Sequence, residues 1–294
     1  MSSQKPRRSS TVCRCCESVS KVNSPHGRRA RPPALRVKRI VLFLCVMCAA
    51  TANLPCSPAD AATHVVSLNL CADQMLVLLA PEKVAALSPL ARDPALSFVA
   101  RQAAHLPVVR ASAEAVLRLR PDLILAAPFG AQTTLALLEQ EGVPVLRIDL
   151  PRDFNGIRQQ TRTLASALGV SQRGDALLAA MDATLDALPH PDHPVRALVW
   201  EPRGLTAGPG TLMDAVLHAV GLINASDGRQ MGLESLLRHK PDLLVVQATP
   251  EFPSLATTLL EHPALAGLRR RAIPPALTVC AGPFTSQAAA LLAR

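Results

Sequence analysis

Tyrosine is absent from the 294 residues, tryptophan occurs once, at Trp200, and aromatic residues make up only 2% of the chain. Without tyrosine, no phenolate can ligate ferric or haem iron. Histidine does not fill that gap, because His64, His105, His190, His193, His218, His239 and His262 fall at spacings that make no ligand cluster. A bare transition-metal site is therefore not expected, and any metal in a solute would arrive already chelated. Also missing are a nucleophile elbow, an HExxH helix and a Walker loop, and Gly208-Pro-Gly210 is too short a glycine signal for phosphate. Cys71 with Asp73 would imitate part of a thiol hydrolase, but no local signature surrounds them. Catalysis is not expected.

Acidic residues are scarce in one region only. Residues 1–63 hold 11 of the 31 Lys and Arg against Glu17 and Asp60, which accounts for the whole formal charge of +9. Residues 64–294 balance 20 basic against 20 acidic side chains, so the body has no basic stripe and no nucleic-acid partner is expected. Cysteine divides the same way: six lie in the front segment, and only Cys71 and Cys280 lie beyond it. In that front segment Arg36, Lys38 and Arg39 precede an eleven-residue apolar run, 40–50, too short to span a bilayer, and small residues around Ala59, Ala61 and Ala62 follow. That order reads as a basic leader and secretory signal over 1–62, cleaved near Ala61 or Ala62, with export to an oxidising compartment. The stretch before Arg36 is long and basic for a signal, which leaves a translation start downstream of Met1 open. A lipid anchor is the lesser alternative, because Cys56 follows Pro55 and Cys48 follows Met47 rather than a small residue.

Beyond the leader, short β-type runs at 65–69, 84–87, 107–109, 123–127 and 145–149 alternate with helical stretches at 72–80, 112–120 and 133–141. This alternation predicts a parallel α/β sheet over 63–150. Residues 151–190 contain a long helical stretch broken only at Gly169 and Val170, where Ser171 can cap a restart, and Pro189, Pro191 and Pro194 end it. The β-then-α order resumes over 191–294, with strands at 195–200 and 243–247, helices at 212–220 and 233–239, and a final strand and helix. The organisation is lobe, helical connector, lobe; a helical connector is stiff, so lobe motion should be small.

One phrase occurs twice. Residues 114–125 align without gaps with 234–245, and six of the twelve positions are identical; Leu137, Leu138 and Glu139 find counterparts in Leu259, Leu260 and Glu261. Glu114 and Glu234 sit in first helical turns where the helix dipole favours negative charge, and Pro121 and Pro241 end the helices. Asp-Leu then launches a buried strand. On physics alone the glutamates are dipole partners or interaction residues with equal right.

At this point the chain resembles the periplasmic iron-chelate and vitamin B12 binding proteins of ABC importers. The resemblance covers 64–294 and rests on Val65-Val-Ser-Leu-Asn69, on both copies of the phrase, and on Thr206-Ala-Gly-Pro-Gly-Thr-Leu212 with Gly221 and Asn224 after it. It implies two Rossmann-like α/β lobes with parallel sheets joined by a long rigid helix, the class III periplasmic binding protein arrangement, with solute held between the lobes. It also implies a monomer with no resident cofactor, which delivers an iron siderophore or cobalamin to a permease and its ATPase. Glu114 and Glu234 then look like the surface glutamates, one per lobe, that meet permease arginines. An exported ligand sensor or a scavenging carrier without a permease would use the same fold.

Ligands of open parallel sheets sit outside the carboxyl ends of strands. This rule picks out Asn69, Cys71, Asp73, Arg92, Asp93, Phe129 and Gly130 in the first lobe. In the second it picks out Trp200, Glu201, Arg203, Gly208, Phe252, Cys280, Gly282, Pro283 and Phe284. Trp200, Phe129 and Phe284 would offer flat apolar surfaces to a bulky ring or chelate, and Arg92 and Arg203 would meet its carboxylates. Core contacts for the aromatics and solvated charge for the arginines are the plain alternatives. Cys71 and Cys280 would fasten the lobes as a disulfide if their Cα atoms approach within ~7 Å; two buried free thiols are the other reading.

Overall fold

The computed structural model describes residues 61–247 and 262–294, all within one compact unit, Pro58–Arg294. The leader up to residue 60, Phe252, and Leu259, Leu260 and Glu261 lie outside the described residues.

The first sheet is built from β1 (Val65–Ser67), β2 (Val84–Ala86), β3 (Leu123–Ala126) and β4 (Val145–Arg147), all parallel in the order β2-β1-β3-β4. Its helices are α1 (Leu70–Leu79), the single turn α2 (Ala100–Ala103), α3 (Ala113–Arg118) and α4 (Gln132–Gln140). Because both faces are covered, β1 and β3 read as apolar runs rather than alternating patterns. The run at 107–109 contributes only one parallel bridge, Leu87 to Val108, since Pro107 cannot donate to a ladder.

The second sheet has the same plan. Strands β5 (Val195–Glu201), β7 (Leu222–Asn224), β8 (Leu243–Gln247) and β9 (Arg270–Ile273) are parallel, and the two-residue β6 (Leu205–Thr206) folds back antiparallel onto the end of β5. Helices α7 (Leu212–Ala219), α8 (Leu233–His239) and α9 (Ser286–Leu292) cover it. The parallel order β7-β5-β8-β9 repeats β2-β1-β3-β4.

The duplicated phrase occupies equivalent places, α3 into β3 and α8 into β8, and the structure shows what it does locally. Arg120 and Lys240, each directly before a proline, take left-handed φ of 48° and 45° and turn the chain out of its helix. The next residue clamps the neighbouring strand: Asp122 accepts from the Thr63 and His64 amides at 2.7 and 3.0 Å, and Asp242 accepts from the Arg196 amide at 2.8 Å. Partial burial works to raise the Asp122 pKa, but these hydrogen bonds together outweigh it and hold the carboxyl below its ordinary range. Ser112 stands at the N-cap of α3, yet its hydroxyl caps nothing.

Between the sheets lie α5 (Phe154–Ala167) and α6 (Ser171–Asp186), separated at Leu168–Val170 where the sequence breaks. Val170, not Ser171, is the cap residue of α6. The two helices pack so closely that a Cβ on Gly174 would lie 2.5 Å from the Ala165 Cβ, and Arg158 bridges them to Asp182 at 2.6 Å. Their junction is pinned to the first lobe: Lys83 donates to the Leu168 carbonyl at 2.6 Å, and Arg173 donates to the Leu79 carbonyl and to Glu82 at 3.0 Å. The break at Gly169 is thus a corner held from outside.

Candidate ligand cleft

A cleft of about 730 Å³ opens between the lobes. Its first-lobe wall is Pro128 and Phe129 after β3 and residues 149–152 after β4; its second-lobe wall is residues 209–212 before and into α7, with Thr278, Val279 and Ala281 after β9. These are the carboxyl-end loops that the strand rule points to. Three large apolar side chains stand exposed there: Phe129 at 65%, Leu150 at 43% and Val279 at 47%. Among the described residues, Asp149 and Arg152 are the charged ones of the wall, and no His, Cys, Met or Tyr lines it. Among the described residues, no three His, Cys, Asp or Glu side chains gather to hold a metal ion.

Cys71 and Cys280 are joined, with Cα atoms 5.2 Å apart, so the free-thiol alternative is overturned and neither sulfur is offered to a ligand. The bridge ties the start of α1 to the loop that carries Val279 and Ala281. Beside it Phe284 stacks on Phe98, ring centroids 4.7 Å apart and planes 12° apart, and is 4% exposed. Phe284 is therefore core between the lobes, not a surface for solute. Gly282 and Pro283 are buried with it.

Several other expected ligand residues have structural work instead. Trp200 is buried on the opposite face of the second sheet among Met231, Leu236 and Leu244, and its Nε1 donates to the Met231 carbonyl at 3.1 Å. That satisfied indole is a core residue. Asn69 caps α1 by accepting from the Cys71 and Ala72 amides. Arg92 is committed to the Ala103 and Leu106 carbonyls, which close the end of α2, and Asp93 accepts from the Ala95 amide. Arg203, at φ 64° in the turn between β5 and β6, is exposed outside the cleft lining; burial raises the pKa of neighbouring Glu201. Among the described residues, Phe129 is the one expected ligand side chain that stands in the cleft wall. Asp149, Leu150, Arg152, Thr278 and Val279 were reachable by applying the strand rule to β4 and to β9.

Asp73 is fully buried and accepts from the Ser88 amide at 3.0 Å and from its hydroxyl, fastening α1 to the loop after β2. Burial pushes its pKa from 3.8 to about 6, against the opposing hydrogen bonds from Ser67 and Ser88. A raised acid favours the folded state while it is protonated. That contribution is complete below pH 3.8 and is lost as pH rises through about 6, a span worth about 3 kcal/mol. Asp73→Asn, neutral throughout, is expected to flatten this slope, and urea unfolding at intervals between pH 4 and 7 reads it out; an equal slope in both proteins would assign it elsewhere.

Glu114 and Glu234 are exposed, each in the first turn of its lobe's repeated helix, and Glu114 pairs with Arg118 one turn on, at 3.4 Å. No described helix is long and apolar enough to cross a membrane.

Comparison with known proteins agrees with this geometry. The "Cobalamin-binding protein" of Halobacterium salinarum is 27% identical over 163 residues, covering 51% of this chain and 44% of the relative, so the chain spans less than half the length of that curated relative. Among solved structures, the apo periplasmic heme-binding protein RhuT of Roseiflexus sp. RS-1 is 27% identical with a TM-score of 0.63, over 79% of this chain and 97% of that one. The periplasmic heme-binding protein HutB of Vibrio cholerae, 20% identical, has a TM-score of 0.67 over 79% and 97% of the two chains. The periplasmic vitamin B12 binding protein BtuF of the same species, 19% identical, has 0.56 over 79% and 95%; these last two speak for the fold alone. A family model described as periplasmic binding protein matches residues 65–270. With its two parallel α/β sheets, linking helices and cleft at the strand ends, the chain belongs to the periplasmic binding protein family and has the class III fold.

Proposed function

We propose that this protein is the periplasmic solute-binding component of an ABC importer, not an enzyme, and that its solute is a bulky metal complex whose metal is already fully ligated, a cobalamin or a ferric siderophore. The observation that carries this reading is the cleft wall. Phe129, Leu150 and Val279 present apolar surface to solvent at one place, while the described wall residues include no His, Cys, Met or Tyr to serve as an axial ligand. Exposed apolar side chains gathered in a concave site favour a large ligand with an apolar face. The absence of tyrosine from the chain, and of His, Cys and Met from the described wall residues, disfavours haem, whose iron needs a protein ligand. The curated relative whose printed name is cobalamin-binding protein supports the first of the two solutes.

Calorimetric titration of the mature protein with cyanocobalamin, a ferric hydroxamate and haemin tests this. Binding of one of the first two is expected, with Phe129→Ala weakening it about tenfold, the worth of one covered aromatic face. No heat and no spectral change with any of the three would overturn the chelate reading.

A further inference from the structure

The second-lobe wall of the cleft is a loop, and a loop makes a defined wall only if something holds it. Residues 208–212 are held by one buried carboxylate. Asp214, 7% exposed in the first turn of α7, accepts the Gly210 amide on Oδ2 at 2.8 Å and the Asn224 side-chain amide on Oδ1 at 2.8 Å. Asn224, at the end of β7, reaches on: its Nδ2 also donates to the Ala207 carbonyl at 3.0 Å, and its Oδ1 accepts the Ser226 amide at 3.0 Å. Thr211 closes the turn, its hydroxyl donating to the Gly208 carbonyl at 2.8 Å and accepting the Asp214 amide at 3.3 Å. On the outer side Gly208 lies against the Gly228 backbone so tightly that a Cβ on Gly208 would meet it at 2.6 Å. Among the described residues, the His218 imidazole one turn on also approaches this carboxylate, 3.8 Å away and 64% exposed.

We infer that Asp214 is the positioning residue of the solute cleft: through Gly210 and Asn224 it fixes the wall formed by residues 209–212, so solute affinity depends on a side chain that solute does not touch. The inference rests on the cleft being the solute site. Its chemistry is directional. An aspartate supplies two acceptors to two donors, one from the Gly210 backbone and one from Asn224. An asparagine at the same place must turn its NH₂ toward one of them, leaving two donors face to face in a buried site.

The test uses the mature protein with cyanocobalamin and a ferric hydroxamate as probes, titrated against the wild type and Asp214→Asn. The change is expected to weaken binding of the accepted probe by at least about tenfold, the loss of one hydrogen bond to a charged group. Circular dichroism and the disulfide content should stay as in the wild type. An Asp214→Asn protein that folds and binds within twofold of the wild type would overturn the inference. Hydrogen exchange on the unaltered protein gives an arm independent of folding and of probe: the Gly210 amide is expected to be protected, and exchange at the rate of an open loop would equally overturn it. If neither probe binds the wild type, the chelate reading fails, and the hydrogen-exchange result still decides the loop.

Discussion

Replacing Cys71 and Cys280 together by alanine is expected to lower the unfolding free energy by roughly 3–5 kcal/mol. The bridge closes a loop spanning 209 residues, and the chain-entropy relation gives about 5 kcal/mol for a loop of that length. Residual structure in the unfolded chain brings the expectation below that ceiling. Alanine is the appropriate replacement because Cys280 is 1% exposed and a serine hydroxyl would be buried there without a partner. Urea unfolding should show the same loss when the wild type is reduced as when both cysteines are removed, since one cause underlies both. An unchanged midpoint, or two free thiols titrated in the denatured, non-reduced wild type, would rule the bridge out. The bridge also bears on binding. Val279 and Ala281 flank Cys280 and line the cleft, so the covalent tie between the lobes sets the second-lobe wall at one end as Asp214 sets it at the other.

The ties between lobes bear on how solute enters. Lys83 and Arg173 pin the connector to the first lobe, the Phe98–Phe284 stack and the Cys71–Cys280 bridge join first lobe to second, and one apolar cluster runs from Leu70, Phe154 and Ile157 through Val199 to Phe284. Large hinge closure would break that continuous core. The cleft is accordingly preformed, with Phe129, Leu150 and Val279 exposed in its wall.

The architecture was legible in the sequence because its two halves repeat. The helix, the proline and the Asp-Leu strand start are local events, and a parallel sheet buried on both faces turns its strands into apolar runs. The phrase also hid a role that periodicity does not express: Asp122 and Asp242 act on strands 58 and 46 residues earlier in the chain. Strands β6 and β7 went unread because two or three residues carry no pattern, and the apolar Ile223 of β7 is exposed. At the site, residue type misled. Trp200 and Phe284 are the kinds of side chain that a ring-shaped solute would want, yet Trp200 sits in β5 on a covered face and Phe284 is buried in the turn into α9, and composition cannot tell a covered face from an open one. Arg92 was claimed by carbonyls at the end of α2, a contact fixed only by the fold. Asp214 and Asn224 look like an ordinary first-turn acid and an ordinary strand-end amide until β7 brings them within 2.8 Å.

Reversing both repeated glutamates, Glu114→Arg with Glu234→Arg, is expected to abolish delivery to the proposed permease while leaving solute binding within twofold. Both side chains are exposed, and the Glu114–Arg118 pair is between exposed groups one turn apart, so the fold loses little beyond the helix-dipole contribution of ~0.3–1 kcal/mol at each site. Opposed like charges at two docking points would cost far more, about 2–4 kcal/mol together, roughly thirty- to a thousandfold in docking affinity. Uptake of radiolabelled cobalamin, in cells whose only binding protein is the variant, reads the transport step, and calorimetry on the purified variant reads the solute step. The neutral pair Glu114→Gln with Glu234→Gln should fall between wild type and reversal. Because rim charges act through screened fields, wild-type docking should also weaken as salt rises toward 0.5 M. The two readings of these glutamates then separate by uptake: the small loss of helix-dipole stabilisation lowers the melting temperature slightly in either case, but dipole partners alone would leave uptake untouched, whereas docking residues would stop it. Full uptake by the reversed protein would remove the permease contact from the two helices that the sequence repeats.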